Sequence, residues 1–323
     1  MKNRNGMRKA IAGVLMGLAA TMVFAQSDFP NRSLMFMVPQ AVGGSTDVLA
    51  RTVGLKLGEA LGQSVVVENR AGANGIIGCE IVAKAAPNGY TLLVGGSGTM
   101  AINQSLYAKI PYDPVKQFTP VALFGYSTSV LVVHPSVTAR TIGELIALAK
   151  ATPGEIKYAS AGVGSSPHLT GELFKQMAGV DVLHVPYKGS TPGVTATIAG
   201  ETQIMFTGIA SSIGSIKTGR LRALSITGPK RSSALPEVPT AGESGLPGFE
   251  ADFWIGLFAP AGTPRAVVAR LNAEINRIIT SEALAERFAV IGVDPVAGTP
   301  EQFGDILNKD IERWARVARL IGQ

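Results

Sequence analysis

The hydrophobic positions that follow residue 33 alternate between two spacings along the chain. Short apolar runs such as "SLMFMV" (33–38) and "SVVVEN" (64–69) predict buried strands, and a longer segment with helical periodicity follows each of them. In the first such segment Leu49, Val53, Leu57 and Leu61 recur every four residues, which predicts a helix with one buried face. Strands and helices that alternate in this way indicate an α/β fold with a parallel sheet flanked by helices.

The same alternation begins again after residue 130. Further apolar strand patterns lie at 130–134, 156–160, 182–187, 202–206 and 221–227, and a helix pattern follows each of the first three. The first of these helices opens with a capping box formed by Thr141 and Glu144. Two more helices are predicted near the C-terminus, opening at Thr263-Pro264 and Thr299-Pro300. Two successive α/β sets predict two lobes rather than one continuous sheet.

Two extended segments are predicted to cross between the lobes. Residues 121–133 carry the chain out of the first lobe, and residues 249–260 bring it back after a connection rich in Pro, Gly and Ser. Lobe 1 is therefore predicted to comprise residues 26–127 and 250–323, and lobe 2 residues 128–249. Two crossings predict a hinged pair of lobes with a cleft between them.

The first 25 residues differ in composition from the rest of the chain. A basic start is followed by an uncharged apolar stretch (10–25), and Val23 and Ala25 are small residues at the positions that signal peptidase recognises. This stretch is shorter than the roughly 20 residues that a membrane anchor needs, and no Cys follows it to accept a lipid. We therefore predict a signal peptide that is cleaved after Ala25, and a periplasmic mature protein.

Removal of this segment changes the charge of the chain. The 323 residues include 29 basic and 23 acidic ones, and four basic but no acidic residues leave with the signal, so that 25 remain against 23. The resulting net charge of +2 gives no reason to expect a nucleic-acid partner. Cys79 is the single cysteine, which excludes an intramolecular disulfide. It lies in a predicted helix, where we expect its side chain to be buried in the core.

Residues that carry catalytic chemistry are scarce. The three histidines, His134, His168 and His184, form no zinc or nucleophile motif, and no phosphate-binding loop with a Lys occurs. The segment "GSGTMA" (96–101) matches a dinucleotide-binding pattern, but it follows the third strand of its lobe, and no acidic strand end comes after it. We therefore predict no enzyme activity, no cofactor and no metal. The hydroxyls of Ser97 and Thr99 are expected to face the cleft instead.

The strongest functional pattern is a strand–glycine–helix junction in lobe 1. This lobe 1 loop (Gln40–Asp47) contains two adjacent glycines and is predicted to begin its helix with Ser45 or Thr46 as the N-cap. The free N–H groups and the positive end of a helix dipole stabilise a bound anion by about 0.3–2 kcal/mol.

A matching junction occurs in lobe 2. This lobe 2 loop (Ser160–His168) contains "AGVG" and is predicted to begin its helix with Ser165 or Ser166 as the N-cap and Pro167 in the first turn. Neither loop contains Lys or Arg, which favours a carboxylate that is held by neutral donors and released again. Ordinary helix capping without a ligand explains each loop taken alone. It explains less well two such loops on two hinged lobes.

Over nearly the whole mature chain, these motifs resemble the extracytoplasmic solute-binding receptors of tripartite tricarboxylate transporters, the Bug family. The resemblance rests on "GGSTDVLAR", "VVVENRAGANGIIG", "NGYTLLVG", "PYDPVKQFTPVALF", "YASAGVGSSPHLTGELFKQMAGVDVLHVPYKGS" and "GLFAPAGTP", in this order. It implies a two-lobed periplasmic-binding-protein fold of type II, which closes on its ligand like a Venus flytrap. It also implies that a small organic acid is captured and delivered to one large and one small integral-membrane subunit.

The resemblance implies that one loop from each lobe binds the carboxylate through backbone amides and ordered water. The residues expected at the site are Gln40, Gly43, Gly44, Ser45, Thr46, Ser97, Thr99, Ser160, Ala161, Gly162, Gly164, Ser165, His168 and Thr207. The receptor is expected to be a monomer. The alternative function is a periplasmic input protein for a sensor kinase, which would bind the same ligand but report it instead of delivering it. An exported enzyme is a third possibility, which turnover of a bound acid would reveal.

Two departures from the family pattern bear on the choice of ligand. Gln40-Ala41-Val42 stands where many relatives have an aromatic residue followed by prolines, so Gln40 is expected to add an amide to the cleft. Thr207 stands where many relatives have an Asp. Without that carboxylate the site lacks a counter-charge for an ammonium group, which argues against an amino-acid ligand.

Overall fold

The computed structural model describes residues 29–290 and 292–321. The predicted signal peptide and its cleavage site lie outside these residues. The strands are β1 (Leu34–Val38), β2 (Val65–Asn69), β3 (Thr91–Gly96), β4 (Phe118–Ser127), β5 (Ser129–Val133), β6 (Lys157–Ser160), β7 (Leu183–Pro186), β8 (Ile204–Gly208), β9 (Arg222–Ile226), β10 (Phe253–Pro260) and β11 (Val293–Pro295).

The helices lie between these strands and after them. They are α1 (Ser45–Leu61), α2 (Ile76–Ala83), α3 (Asn103–Leu106), α4 (Ile142–Ala151), α5 (Ser166–Ala178), α6 (Ser190–Ile198), α7 (Ile209–Lys217), α8 (Arg265–Ile279), α9 (Glu282–Val290) and α10 (Pro300–Ile321). A short π-type turn (Gly98–Ile102) lies between β3 and α3.

Among the described residues the strands form two mixed sheets. The first has the order β11-β4-β10-β3-β1-β2, and the second the order β7-β6-β8-β5-β9. In both sheets the strands that precede cleft loops run parallel, β1 beside β2 and β3, and β6 beside β7 and β8. The carboxyl ends of parallel strands meet at one edge of a sheet, so the loops that follow them lie together there.

The period-2 pattern of β1 places hydrophobic residues on both faces of the first sheet. Leu34, Phe36 and Val38 pack with residues of α1 and α8, whereas Met37 packs with residues of α2 and α10. Two further clusters cover the two faces of the second sheet. Each sheet therefore has its own two-sided core, which is the arrangement expected of a sheet with helices on both faces.

Cys79 is completely buried in one of these clusters, as its helical pattern predicts. Burial raises the pKa of its thiol to about 12, so the thiol stays protonated and unreactive at physiological pH.

The two predicted crossings lie side by side at Thr227. The first crossing runs from β4 in one sheet to β5 in the other through Thr128. The N–H of Thr227 donates to the Ser129 carbonyl (2.9 Å), and its carbonyl accepts from the Ala251 N–H (2.9 Å) on the returning segment. Because Thr227 is buried and bonds to both crossings, it ties together the two strands about which the lobes are joined.

Three elements of the structure do not follow from the hydrophobic pattern. Helix α7 comes directly after β8, α9 follows α8, and the short strand β11 adds to the edge of the first sheet beside β4. The segment of β11 is only three residues long, so its pairing partner and not its own sequence decides that it is a strand.

The helices predicted to open at Thr141 and at Thr299-Pro300 are both capped by a threonine side chain. Thr141 Oγ1 accepts from the Glu144 N–H at 3.1 Å. At α10 the Thr299 and Gln302 side chains accept from each other's N–H groups at 3.2 and 2.9 Å. Among the described residues, every helix is too short or too polar to cross a membrane.

We expect Gly171→Ala to lower the free energy of unfolding by about 1–3 kcal/mol, because the added methyl group overpacks a core contact. A Cβ on Gly171 of α5 would lie 2.8 Å from Cζ of the Tyr158 ring on β6. Urea denaturation measures the change.

The matched control for this substitution is Gly214→Ala on α7. A Cβ there meets no described atom within 4 Å, so we expect Ala to raise the stability by about 0.4–1 kcal/mol. If Gly171→Ala were as stable as the wild type, the close approach of α5 to β6 would be wrong.

Candidate carboxylate site between the lobes

The lobe 1 loop connects β1 to α1 through a left-handed turn. Gly43 has φ of +85°, a conformation that a glycine adopts without strain. The N-cap of α1 is Gly44, not Ser45 or Thr46 as predicted, and it supplies no side-chain cap. The prediction was wrong because the glycine takes the extended N-cap conformation (φ −76°, ψ 166°) itself, so the helix starts one residue earlier.

Asp47 holds this loop in place from the first turn of the helix. Its carboxylate accepts from the Gly43 N–H at 3.0 Å, from Asn69 Nδ2 at 3.0 Å and from Arg51 at 3.0 Å. Burial would raise the pKa of Asp47, but the hydrogen bonds from Arg51, Gly43 and Asn69 outweigh burial and hold that pKa below its ordinary value. Asp47 is therefore a charged support of the loop.

The first amides of α1 remain available to a ligand. No described residue accepts a hydrogen bond from the N–H groups of Ser45 and Thr46. Since the N-cap glycine has no side chain, nothing in the loop replaces the missing acceptor. The start of α1 lies opposite lobe 2, because a Cβ on Gly208 would lie 2.5 Å from Ser45 Oγ.

The lobe 2 loop has a different internal structure. Its helix, α5, begins with Ser165 as the N-cap and Pro167 in the first turn, as predicted. Three N–H groups expected to bind the ligand donate within the loop instead. Gly162 donates to Ser160 Oγ (3.1 Å), Gly164 to His168 Nδ1 (3.1 Å), and Ser165 to the Gly162 carbonyl (3.1 Å). The loop is therefore held by its own bonds, and Ala161, which is half-buried, keeps an N–H that no described residue bonds.

Four other predicted residues occupy different surroundings. Gln40 is exposed at the rim, where its carbonyl accepts from Asn69 Nδ2. Ser97 Oγ accepts from the Trp254 N–H at 3.1 Å, and Thr99 Oγ1 bonds to Gly96, so both hydroxyls are bound inside lobe 1. Thr207 is completely buried at the end of β8, and its hydroxyl has no hydrogen-bond partner among the described residues. An unpartnered buried hydroxyl is costly, so Thr207 is a candidate contact for a ligand or water atom.

Two further helices begin at the cleft, which the sequence pattern did not reveal. A Cβ on Gly208, the N-cap of α7, would lie 2.5 Å from Ser45 Oγ at the start of α1. A Cβ on Gly43 would lie 3.7 Å from Thr191 Oγ1 in the first turn of α6. The signal for α6 was present, because "GST" occurs both at 44–46 and at 189–191.

The cleft is therefore surrounded by positive helix ends without cationic side chains in its walls. Within the described residues, α1 contributes one N-terminus from lobe 1, and α5, α6 and α7 contribute three from lobe 2. Lys188, which precedes the α6 turn, is exposed, and Arg51 is paired with Asp47. Such a site attracts anions through N–H groups and dipoles that need no reorganisation when the ligand enters.

A hydrogen bond across the cleft joins the lobes at the lobe 2 loop. Asn74 Nδ2 donates to the Gly164 carbonyl at 2.8 Å and to Asn103 Oδ1 at 2.7 Å. Asn103 is completely buried, and its Nδ2 donates to the Asn74 carbonyl and to Tyr112 Oη. Asn74 has a left-handed backbone (φ 51°), so this network orients its amide toward the other lobe.

We expect Asn74→Gly to shift the ligand-free protein toward an open arrangement of the lobes. Glycine keeps the left-handed backbone but removes the bond to Gly164, which changes the ratio of closed to open molecules by about 2- to 12-fold. Small-angle X-ray scattering would show a larger radius of gyration.

Asn88→Gly is the control for this substitution, because Asn88 lies in an exposed turn of lobe 1 and its side chain accepts only from the nearby Tyr90 N–H among the described residues. Equal radii for Asn74→Gly and Asn88→Gly would mean that the Asn74 bond does not contribute to closure.

Comparisons with known proteins identify the family of this chain. The family described as "Tripartite tricarboxylate transporter family receptor" matches residues 49–323. Protein BugT of Bordetella pertussis is 39% identical over 315 residues, which cover 97% of each of the two chains.

Two solved structures have the same fold. An R. palustris protein solved with adipate is 36% identical, with a TM-score of 0.89 over 91% of this chain and 99% of that one. MatC from Rhodopseudomonas palustris, solved with bound malate, is 33% identical, with a TM-score of 0.84 over 90% of this chain and all (100%) of the other. The two-lobed periplasmic-binding-protein fold predicted from the sequence is thereby confirmed. The chain belongs to the family of tripartite tricarboxylate transporter receptors, the Bug family, whose members are periplasmic solute-binding proteins and not enzymes.

Proposed function

We propose that this receptor captures a small dicarboxylate between its lobes and delivers it to a tripartite membrane transporter. The observation that carries the proposal is the convergence of the N-termini of α1, α5, α6 and α7 on one cleft. Each helix N-terminus is equivalent to about half a positive charge, so four of them supply about two charges. This total matches a ligand with two carboxylates and requires no Arg or Lys.

The chemistry of the relatives' ligands supports the same class. Adipate and malate both have two carboxylates separated by a short carbon chain, and the proteins solved with them are 36% and 33% identical to this one. One carboxylate is proposed to bind the N–H groups of Ser45 and Thr46. The other lies toward the lobe 2 loop, with water between it and the N–H groups that the loop already uses.

The other predicted site residues keep supporting roles in this proposal. Gly43 and Gly44 shape the lobe 1 loop, and Ser160, Gly162, Gly164, Ser165 and His168 shape the lobe 2 loop, while Ala161 adds a free N–H. Ser97 and Thr99 stabilise the lobe 1 wall, and Gln40 lies at the rim.

Thr207 is proposed to favour a hydroxy or unsubstituted acid over an amino acid. Its buried hydroxyl forms a hydrogen bond with a neutral ligand atom, but it offers no charge to an ammonium group. Asp47 does not provide that charge either, since Arg51 and Asn69 occupy its carboxylate oxygens.

We expect malate and adipate to raise the melting temperature of the mature protein, and aspartate to raise it much less. A ligand that binds only the native state at 100 times its dissociation constant adds about 2.7 kcal/mol of stability. Aspartate differs from malate by an ammonium group in place of a hydroxyl, and we expect it to bind at least about tenfold more weakly. Calorimetric titration measures these affinities.

Gly208→Val provides the negative control for this titration. Its side chain occupies the space beside Ser45 Oγ and prevents α7 from approaching α1, so malate binding should be lost. Gly214→Val lies farther along the same helix in open space and should bind normally. Tight binding of aspartate, or of malate to Gly208→Val, would contradict the proposed site.

Delivery to a transporter is tested in cells that lack the receptor gene. We expect uptake of the radiolabelled dicarboxylate to fall to background and to recover with the wild-type receptor but not with Gly208→Val. Normal uptake together with a lost transcriptional response to the acid would instead support a role as the input protein of a sensor kinase.

A further inference from the structure

The N–H of Gly164 depends on a histidine for its hydrogen bond. Gly164 lies in the centre of the lobe 2 loop with φ of +80°, and its N–H donates to His168 Nδ1 at 3.1 Å. Its carbonyl accepts the bond from Asn74 that crosses the cleft. His168 therefore holds the Gly164 N–H from within lobe 2, and Asn74 holds the Gly164 carbonyl from lobe 1.

This contact determines which atom of His168 carries a proton. A nitrogen that accepts from an N–H has no proton of its own, so Nδ1 is bare and the neutral ring is protonated at Nε2. When the ring takes up a second proton, it does so at Nδ1. Two donors then face each other, and the bond to Gly164 is lost.

His184 lies behind His168 and supports the other end of the loop. The two rings are 4.2 Å apart between centroids, and the Tyr158 ring stacks on the far side of His184 at 4.8 Å. His184 Nε2 lies 2.6 Å from Ser160 Oγ, which accepts from the Gly162 N–H. His168 thus accepts one of the three internal N–H bonds of the lobe 2 loop, and His184 contacts the hydroxyl that accepts another.

We propose that His168, backed by His184, is a positioning residue that keeps the lobe 2 loop in its binding conformation only while its imidazole is neutral. The inference rests on the proposed function, because it makes dicarboxylate affinity depend on the protonation of a residue that need not touch the ligand.

The surroundings of the two rings favour the neutral form. Burial lowers the pKa of His168, and Lys175 lowers it further, while Glu172 acts in the opposite direction. Burial, with a smaller contribution from His168, lowers the pKa of His184 to about 4. The Glu172 carboxylate is already engaged by Tyr158 Oη at 2.5 Å and by Lys175 at 3.4 Å, so it only partly offsets burial.

The lowered pKa of His168 determines how the stability of the loop changes with pH. A histidine whose pKa is lowered in the ordered loop stabilises that loop fully above pH 6.5, its ordinary pKa, and this contribution is lost as the pH falls toward the lowered value. The residues that face the loop from lobe 1 are Asn74, Asn103 and Tyr107. They are uncharged at these pH values, so they do not reverse the direction of the pH effect.

The experiment compares adipate affinity at pH 7.5 and pH 5.0 for the wild type, His168→Asn, His168→Leu and His134→Asn. Asparagine Oδ1 takes the place of Nδ1 as an acceptor but does not titrate, whereas leucine offers no acceptor. His134 bonds to Ser136 in an exposed turn that follows β5, away from the loop, and so serves as the matched control. At a given pH the ionisation of adipate is the same in all four samples. Ratios of affinity between the proteins therefore report only differences between the proteins.

We expect His168→Leu to bind about tenfold more weakly at pH 7.5 and His168→Asn to recover most of that loss. From pH 7.5 to pH 5.0 the wild type and His134→Asn should lose about fivefold more affinity than His168→Asn. Equal pH dependence of the wild type and His168→Asn, or no rescue by asparagine over leucine, would overturn the proposal.

A readout without ligand separates this proposal from the proposed function. Hydrogen exchange of residues 160–168, corrected for the intrinsic effect of pH, should accelerate at pH 5.0 in the wild type but not in His168→Asn. If adipate did not bind the wild type at all, the dicarboxylate proposal would fail while the exchange experiment still decided the role of His168. Exchange that is unchanged by pH in the wild type would refute that role.

Discussion

The structure depends on an electrostatic constraint, namely that four helices of the described chain begin at the same cleft. Their N-termini carry partial charges of the same sign, which repel one another unless an anion or water lies between them. The repulsion is tolerated because each helix is fixed to its own sheet by an extensive apolar core. Among the described residues the lobes meet at the crossings beside Thr227, at the Asn74–Gly164 bond and at the Lys230–Asp294 ion pair. An anion that binds helix ends of both lobes would therefore favour their closure.

The two loops that form the site are held by different chemistry. Asp47 supports the lobe 1 loop with a buried carboxylate whose partners keep it ionised, so this support is constant across physiological pH. His168 and His184 support the lobe 2 loop with imidazoles that burial keeps neutral. An imidazole gains a charge when it is protonated, whereas a carboxylate loses one, so acid affects the two loops through different groups.

The closed arrangement is built so that polar groups of one lobe satisfy those of the other. Asn103 orients the Asn74 amide within lobe 1, and the same amide bonds to Gly164 of lobe 2. A donor that its own lobe already orients loses less entropy when it bonds to the other lobe. Gly208 lets α7 approach α1 because it has no side chain. A receptor of this kind binds by bringing prearranged donors together, and few side chains are left to specify the ligand. Among them, Thr207 is the one whose buried hydroxyl still lacks a partner among the described residues.

Local patterns in the sequence were sufficient to predict the α/β alternation and the two crossings, because apolar periodicity and glycines act through local geometry. The same patterns drew attention to the two glycine loops of the candidate site. The sequence also determined the family, through motifs that extend along the chain. Only the tertiary structure decided that α6 and α7 also begin at the cleft, that Ser97 and Thr99 bond inside lobe 1, and that Gly164 is held by His168. These features depend on which loops two folded lobes bring together, and sequence spacing does not encode contacts between residues that lie far apart in the chain.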